Sequence, residues 1–465
     1  MRRTEEEKRH YVRSVRQQDT PRYVRAVRAS PGRAGGALGA ALTVLVLAAF
    51  LGLGLHLYRA GVPYVTGYVV LPSGQRPPGS VIMAWAFGNV TIYQVRVPAW
   101  EARIDSVWVP VSPFVELAPW SGGSTANPYQ TWYASDQYLT VMRYNPAWNG
   151  SGVTVAVVDT GIDYLNPVFQ PGKTLIMVVS VKYSNTTANT PFIWWNFQKD
   201  PNVTAAYELD RELFIKYGRY AWLDTNGHGT AVSSIIVAQP GVDPPVQGLA
   251  PGARLIMISA FFSNGSAPLN WVLTALQWVY NYSAQYNIRV LSLSWGAILP
   301  PGNPIQVAVQ QVESRGVIVV AAAGNYGNVP GDIGYPAAAP GVIAVGALDC
   351  YTGQVAWFSS MGPTYDTQVK PQFVSCGVNV PVVWPSYLSS PGPLDPYDSN
   401  VTALSGTSFS APAVAAIIAD WLEYYHYYHG VYPSASQVLS ILAENSEHLT
   451  FPNDIVGYGI PLAPP

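Results

Sequence analysis

The chain has little charge, few histidines and almost no cysteine, and each shortage narrows the chemistry open to it. Charged residues make up only 11% of the sequence, whereas 49% of it is hydrophobic, which allows a large buried core. The two cysteines, Cys350 and Cys376, lie in no nucleophile motif, which argues against a cysteine-dependent active site. Because the chain has six histidines, a catalytic base must come from a short set of candidates.

The few charges are unevenly placed along the chain. Residues 1–33 hold ten basic and four acidic residues, so the rest of the chain, with 15 basic and 23 acidic residues, is acidic. Directly after this basic block, residues 34–57 contain no Asp, Glu, Lys or Arg. A helix of that length, at about 1.5 Å per residue, spans a hydrocarbon layer of about 30 Å. We therefore expect a transmembrane anchor helix at 34–58 and a basic cytoplasmic tail at 1–33.

This charge pattern predicts a single-pass membrane protein with a cytoplasmic N-terminus and everything after Arg59 outside the cell. A cleavable signal peptide is the alternative, but its basic region would be unusually long and no small-x-small cleavage site follows. The basic block would also suit nucleic acid, yet attraction to lipid headgroups explains it more simply, so no nucleic-acid partner is expected.

Two cysteines are compatible with one disulfide in an exported domain or with two buried thiols.

A serine near the carboxyl end has the surroundings of a nucleophile. Ser408 lies in the segment GTSFSAP at 406–412, and an apolar, alanine-rich run of helical character follows at 413–418. Free backbone N–H groups at the start of a helix stabilise negative charge that develops beside such a hydroxyl. A serine before a helix is more often a simple N-cap, so the assignment depends on a base and an orienting acid elsewhere.

Two other segments supply candidates for that base and acid. His228 lies in NGHGT at 226–230, where flanking glycines let backbone and substrate come close. Asp159 ends the apolar run VAVVD at 155–159, which is typical of a buried parallel strand that presents a carboxylate at its carboxyl end. Taken alone, each residue would be assigned a structural role, as a core histidine and a turn aspartate.

Together the three segments, in the order Asp, His, Ser, resemble the subtilisin-like serine proteases (subtilases, peptidase S8 family) over about residues 144–449. The resemblance implies a serine endopeptidase of extracellular proteins in which Asp159 orients His228, and His228 takes the proton of Ser408. Ser408 then forms an acyl-enzyme that water hydrolyses. Asn325, which follows the run AAAG, resembles the asparagine of the family's oxyanion hole.

Further segments resemble the family's substrate-binding elements. Ser294, Trp295 and Gly296 resemble the strand with which an extended protein or peptide substrate pairs, mainly through main-chain hydrogen bonds. Gly324 and Gly334 resemble the wall and base of the pocket for the residue before the cut. No charged residue stands at these positions, which predicts broad specificity with an apolar or aromatic preference. Trp295 replaces a commoner aliphatic residue, and core filling is an equal alternative for its side chain.

Apolar runs typical of buried strands alternate with helical stretches from Gly152 onward. This pattern predicts an α/β fold with a doubly wound, mainly parallel sheet flanked by helices, and the resemblance makes 141–465 the subtilisin-like catalytic domain. Between the anchor and this domain, alternating apolar and polar residues predict a small β-rich unit at 59–140. Its position resembles the inhibitory prodomain of many subtilases, and a permanent stalk is the alternative.

The resemblance implies no cofactor and no metal for catalysis, and it allows structural calcium. After Asp163, however, the segment NPV at 166–168 lacks the acid that serves one calcium site in the family. A catalytically inactive binding protein on the same fold is disfavoured because all four catalytic positions are occupied. The sedolisin-type acid peptidases, which use Glu and Asp, are disfavoured by His228. Physiological substrates, pH optimum and oligomeric state stay open.

Overall fold

The computed structural model describes residues 64–98, 114–117, 121–122, 138–183, 192–244, 246–327, 329–391 and 400–465. These residues belong to two compact units. One contains 64–69, 77–82 and 94–98, and the other contains 70–76, 83–93 and every described residue from 114 onward. The second unit, called the larger unit below, holds all of the predicted site residues.

The described residues form twenty β-strands, seven α-helices and one 3-10 helix, Pro167–Phe169. The strands are β1 (Tyr64–Pro72), β2 (Ser80–Phe87), β3 (Val90–Pro98), β4 (Phe114–Leu117), β5 (Ser121–Gly122), β6 (Thr154–Asp159), β7 (Leu175–Ser180), β8 (Ile193–Asn196), β9 (Arg254–Ser259), β10 (Ser266–Pro268), β11 (Ile288–Leu293), β12 (Trp295–Gly296), β13 (Ile318–Ala322), β14 (Ile343–Asp349), β15 (Gln354–Val355), β16 (Phe373–Cys376), β17 (Val380–Val383), β18 (Val401–Ser405), β19 (Ser446–Glu447) and β20 (Ile460–Pro461). The helices are α1 (Val203–Tyr217), α2 (His228–Val237), α3 (Leu269–Tyr282), α4 (Pro304–Glu313), α5 (Thr407–His429), α6 (Ala435–Glu444) and α7 (Asn453–Val456).

A nine-stranded mixed sheet forms the centre of the larger unit, in the order β15-β14-β13-β11-β6-β9-β7-β8, with β16 also paired to β14. Seven of these strands run parallel, and the edge strands β8 and β15 are antiparallel to their neighbours. The central strands β6, β7 and β13 are buried along their whole length. Continuous burial of this kind is expected of parallel strands covered on both faces. The predicted α/β sheet flanked by helices is confirmed, as a mixed sheet.

Two helices place the predicted nucleophile and base. The long helix α5 packs against β11, β13, β14 and β16 and against α2. His228 is the first residue of α2 and Ser408 is the second residue of α5. Asp159 is the last residue of the central strand β6. Two helix N-termini and a strand carboxyl end therefore meet at one edge of the sheet, where an open α/β fold binds its ligands.

The first three strands form a small sheet in the order β1-β3-β2. Within the larger unit, Trp85 Nε1 of β2 donates a hydrogen bond to Thr274 Oγ1 of α3 at 2.9 Å. The ring of Phe87 packs edge-on against Tyr280, with centroids 5.4 Å apart. These strands lie in the stretch predicted as β-rich, while a separate domain at 59–140 stays a prediction.

The predicted localisation, a single-pass membrane protein with a cytoplasmic N-terminus, is corrected here. No helix among the described residues is long and apolar enough to cross a bilayer. Helix α5 has 23 residues, but it carries Asp420 and Glu423 and ends in a run of Tyr and His, whereas a span needs about 20 mainly apolar residues. The apolar run at 34–58 on which the prediction rested, and the tail at 1–33, lie outside the described residues. The extracellular placement that depended on this span is withdrawn with it.

The two cysteines form a disulfide bond. Cys350 follows β14 and Cys376 ends β16, and these strands pair in parallel with Leu348 opposite Cys376. Their Cα atoms are 5.3 Å apart. Of the two alternatives that the sequence left open, the structure has the disulfide.

Candidate active site

Asp159 and His228 are in direct hydrogen-bond contact. His228 Nδ1 lies 2.9 Å from Oδ1 and 3.0 Å from Oδ2 of Asp159. The histidine and aspartate side chains are 1% and 0% exposed. A buried carboxylate beside Nδ1 favours the tautomer that carries its proton there, which leaves Nε2 as the nitrogen able to accept a proton.

Asp224 holds the start of α2 in place. Its carboxylate accepts hydrogen bonds from the backbone N–H of Gly227 at 2.8 Å and of Thr230 at 2.9 Å. Gly227 has φ 98°, and a Cβ there would overlap the ring of Trp384. A Cβ on Gly229 would overlap the carbonyl oxygen of Gly161. The glycines on both sides of His228 are therefore required by close packing.

Ser408 lies at the start of α5, which packs against α2, and it is fully buried. Its Oγ donates to the Ser294 carbonyl at 3.1 Å, and Ser294 Oγ donates in return to the Ser408 carbonyl at 2.8 Å. The ring of Phe409, the next residue, is centred 5.7 Å from the His228 ring. Buried His228 Nε2 has no hydrogen-bond partner among the described residues. The Ser408 hydroxyl thus donates to Ser294, while the next residue, Phe409, packs near the His228 ring.

Asn325 is fixed by the residue that precedes Ser408. Its Oδ1 accepts hydrogen bonds from the backbone N–H of Thr407 at 2.9 Å and from Thr407 Oγ1 at 2.8 Å. A Cβ on Gly406 would come within 3.0 Å of Asn325 Nδ2, so the amide nitrogen lies on the Gly406 side. The asparagine side chain is therefore oriented toward the start of α5.

The predicted substrate-binding residues separate into backbone and core roles. Trp295 is fully buried, and its Nε1 donates to the Val158 carbonyl at 3.0 Å. Its side chain fills the core, whereas its backbone forms β12 together with Gly296. A Cβ on Gly334 would lie 2.8 Å from the Ala297 carbonyl oxygen, and one on Gly324 would lie 2.9 Å from Ser360 Oγ. Both glycines allow neighbouring segments to approach closely.

A strand from the earlier part of the chain lies against β12. β4 pairs antiparallel with β12, with Leu117 opposite Trp295, and with β10 on its other edge, with Val115 opposite Ala267. The N–H of Leu117 also donates to the Gly265 carbonyl at 2.9 Å. The Val115 and Leu117 side chains are buried. An extended segment of the chain itself thus occupies the strand position that the sequence predicts for substrate.

The same part of the chain also reaches the other side of Ser408. In β5, Ser121 pairs antiparallel with Ser405, three residues before Ser408. Leu117 of β4 pairs with Trp295, the residue after Ser294, and the Ser294 carbonyl accepts the Ser408 hydrogen bond. The two described strands therefore pair with segments close in sequence to Ser294 and to Ser408, and the three residues that join β4 and β5 lie outside the described part.

Buried charges that the sequence reasoning missed lie behind Asp159. Burial raises the pKa of Asp163 to about 6, and neighbouring Asp224 adds to this effect. Lys182 Nζ donates to the Thr160 carbonyl at 3.2 Å, and burial lowers the pKa of this lysine to about 8. Asp210 is fully buried and accepts backbone N–H groups at 221 and 223. No local motif marks Lys182 or Asp210, because their neighbours come from distant segments.

No group of three or more His, Cys, Asp or Glu side chains in the described part of the chain could hold a metal ion. Asn166 instead caps the 3-10 helix, since its Oδ1 accepts the Val168 N–H at 3.2 Å. The described side chains therefore give no support to structural calcium.

Comparison with known proteins supports the resemblance in the sequence. The model of the subtilase family, peptidase S8, matches residues 150–459, about two thirds of the chain. Subtilisin NAT of Bacillus subtilis subsp. natto is 28% identical over 290 residues, which are 62% of this chain and 60% of that protein. Subtilisin DY of Bacillus licheniformis is 32% identical over 229 residues, covering 49% of this chain and 72% of that protein.

M-protease of Shouchella clausii is 34% identical over 276 residues, which cover 59% of this chain and 55% of that protein. The chain thus spans 60% of the length of subtilisin NAT and of subtilisin E of Bacillus subtilis. The matched region contains Asp159, His228, Asn325 and Ser408 in the geometry described above. The chain belongs to the subtilase family, and its matched region is a serine endopeptidase domain.

Proposed function

We propose that this protein hydrolyses peptide bonds in proteins or peptides through an acyl-enzyme formed on Ser408. The observation that carries the proposal is the buried Asp159–His228 pair, with one ring nitrogen on the carboxylate and the other without a partner among the described residues. The helix α5, which has Ser408 in its first turn, packs against the helix that His228 begins. A hydroxyl needs a base and an oriented imidazole before it can attack a carbonyl carbon.

The reaction begins with a rotation of the Ser408 side chain. We expect Oγ to turn away from the Ser294 carbonyl toward His228 Nε2, the nitrogen that can accept its proton. Asp159 keeps Nδ1 protonated and stabilises the imidazolium that forms. His228 then returns the proton to the leaving amine, and water hydrolyses the ester on Ser408. Hydrogen bonds of this kind are often incomplete before substrate binds, which fits the present orientation of Oγ.

Asn325 would stabilise the tetrahedral intermediate. Thr407 holds its amide by two hydrogen bonds to Oδ1, which orients Nδ2 on the side of Gly406. Together with the backbone N–H of Ser408 at the start of α5, this amide would donate to the oxyanion. Donors fixed before the reaction need no reorganisation as charge develops, which makes them effective in catalysis.

Substrate would bind as an extended strand in the position that β4 now occupies. The pairing of β4 with β10 and β12 is made by backbone groups, so it tolerates many sequences. The glycines at 324 and 334 leave an uncharged wall and base for the residue before the cut. Broad specificity with an apolar or aromatic preference therefore remains our proposal for this site.

The intact chain would be latent. Ser408 is 0% exposed and His228 is 1% exposed, and β4 pairs with β12, the strand with which substrate would pair, so a protein substrate would be excluded while β4 holds its place. A segment that blocks the groove in this way acts as an inhibitory prosegment, in line with the prodomain-like role predicted for 59–140. Release of β4 would then precede activity.

Substitution of Ser408 tests the proposed function. We expect Ser408→Ala to lose fluorophosphonate labelling and at least about 10⁴-fold of peptidase activity. Ser410→Ala is the matched control, because Ser410 is a buried serine of the same helix whose Oγ donates to the carbonyls of Ser375 and Cys376. Labelling of Ser410→Ala should match that of the wild type. Wild-type activity in Ser408→Ala would overturn the assignment.

A further inference from the structure

Lys370 holds a cation in a part of the fold that the proposed reaction does not use. The side chain is fully buried. Its Nζ contacts three backbone carbonyl oxygens, those of Ala337 at 2.5 Å, Ala339 at 2.6 Å and Val342 at 2.8 Å. Three donated hydrogen bonds require three N–H groups, which only the charged ammonium has. The group in this site is therefore a positive ion attached to the chain.

The oxygen atoms around Nζ are those expected of a metal-ion site. Backbone carbonyls are common ligands of hard cations, which they meet at about 2.3–2.6 Å in calcium sites, and rings of carbonyls also bind potassium. A carboxyl group lies close by as well, since a Cβ on Gly341, the residue before Val342, would lie 2.6 Å from Glu313 Oε2. Three converging carbonyls and a neighbouring carboxylate form a donor set for a cation.

The carbonyls converge because the backbone turns around the ammonium. Residues 337–342 follow the Gly334–Tyr335 segment, and Tyr335 exchanges two backbone hydrogen bonds with Ala297, directly after β12. The N–H of Ala338 donates to the Gly334 carbonyl at 2.8 Å, which continues the same turn. Without a positive charge, three buried carbonyl dipoles would face one another unsatisfied, at a cost that would open the turn.

We infer that Lys370 is a tethered cation that fills a carbonyl site of the metal-ion type and holds the 334–342 turn without a dissolved ion. A bound metal ion does not fit this site in the native chain, because the ammonium already occupies the point where the carbonyls meet. Removal of the side chain should leave a vacant site for a free cation such as Na⁺, K⁺, Ca²⁺ or NH₄⁺.

Thermal unfolding of Lys370→Ala tests this inference. All variants are made in the full chain with Ser408→Ala, so that self-cleavage does not enter and the result is independent of the proposed function. Unfolding is followed in choline chloride and in solutions of equal ionic strength that contain Na⁺, K⁺, Ca²⁺ or NH₄⁺. We expect Lys370→Ala to have a lowered Tm in choline, and at least one of the four cations to raise it saturably by at least about 3 °C.

Two matched variants separate ion binding from a general salt effect. Lys370→Met fills the space of the lysine but leaves no room for an ion. The cations should therefore raise its Tm no more than they raise the Tm of the Ser408→Ala parent. Lys182→Ala removes another buried lysine, whose Nζ contacts one carbonyl among the described residues, that of Thr160, so its Tm should not respond either. An equal response in Lys370→Ala and in either control would overturn the inference.

Refolding provides the readout if Lys370→Ala does not fold in choline. The yield of folded protein after dilution from denaturant should then rise in the presence of at least one of the four cations. A Lys370→Ala chain that refolds in none of these salts would contradict the inference, because a free ion could then not replace the tethered one. A Tm of Lys370→Ala that none of the cations raises would contradict it as well.

Discussion

At the scale of single residues, the protonation of buried Asp163 makes the stability of the fold depend on pH. Its carboxyl group is 4% exposed, and burial raises its pKa from 3.8 to about 6. Between these two values the unfolded chain releases the proton more readily than the folded chain. The stabilisation from a protonated Asp163 is therefore complete below about pH 4 and is lost as the pH rises through 6.

We predict that Asp163→Asn removes this pH dependence. In the wild type the contribution of Asp163 to the free energy of unfolding should fall by about 2 kcal/mol between pH 4 and pH 7. Denaturant unfolding of both proteins at several pH values, in the Ser408→Ala background, measures the difference. Glu208→Gln, on the exposed face of α1, serves as a control that should retain the wild-type profile. Parallel profiles for Asp163→Asn and wild type would contradict the prediction.

Trp295 and Ser408 show which structural features a local sequence pattern predicts and which it does not. The segment around each residue was assigned correctly to a strand and to a helix start, because strand and helix signals are local. The direction of a side chain depends on what lies across from it. The Trp295 side chain points into the core because the Val158 carbonyl is there to accept its N–H, and this partner is 137 positions away in the sequence.

At the scale of elements, strand β4 depends on the burial of two side chains. Val115 is 2% exposed and Leu117 is 6% exposed, so both contribute hydrophobic stabilisation to the position of the strand. A carboxylate in either place would lose its hydration without gaining a partner. Because the strand is short, such a change should release it from β10 and β12 while the central sheet stays intact.

We predict that Leu117→Asp makes the intact chain more active. The initial rate of hydrolysis of a small chromogenic peptide should rise about tenfold or more, because the groove opens before any cleavage of the chain. Ile82→Asp is the control, since Ile82 lies on β2 and is 49% exposed. A Leu117→Asp chain as slow as wild type would argue that β4 does not restrain the site.

The N-terminus of the active protein then distinguishes a removable prosegment from a permanent stalk. N-terminal sequencing after incubation should find a start within 118–145 if the prosegment is removed. An active protein that retains 114–117 would support the stalk instead.

At the scale of the whole molecule, the disulfide ties the carboxyl-terminal strands of the sheet together. Cys350 and Cys376 are 26 positions apart in sequence and join the ends of β14 and β16. A cross-link of this span lowers the conformational entropy of the unfolded chain. In the loop-entropy model this raises the free energy of unfolding by about 3–4 kcal/mol. The stabilisation acts on global unfolding, since both strands belong to the central sheet.

We predict that Cys350→Ser with Cys376→Ser lowers the free energy of unfolding by about 3 kcal/mol. Denaturant unfolding of the Ser408→Ala protein with and without a thiol reductant should show a loss of similar size. The double serine variant should be insensitive to the reductant, which provides the control. Equal stability of the reduced and oxidised proteins would contradict the expected role of the cross-link.

The sequence by itself determined the family, the α/β class and the three segments that carry Asp159, His228 and Ser408. These conclusions were accessible because strand ends, helix starts and glycine-flanked motifs are properties of a few consecutive residues. The predicted membrane span came from the same kind of local pattern, and it was corrected because no described helix provides one.

Only the tertiary structure decided that β4 pairs with β10 and β12, that Cys350 pairs with Cys376 and that Lys370 fills a carbonyl site. Each of these depends on groups far apart in the chain, such as Lys370 and the Ala337 carbonyl, 33 positions away. No local pattern specifies such partners, because burial and charge compensation are settled only when the distant segments pack together.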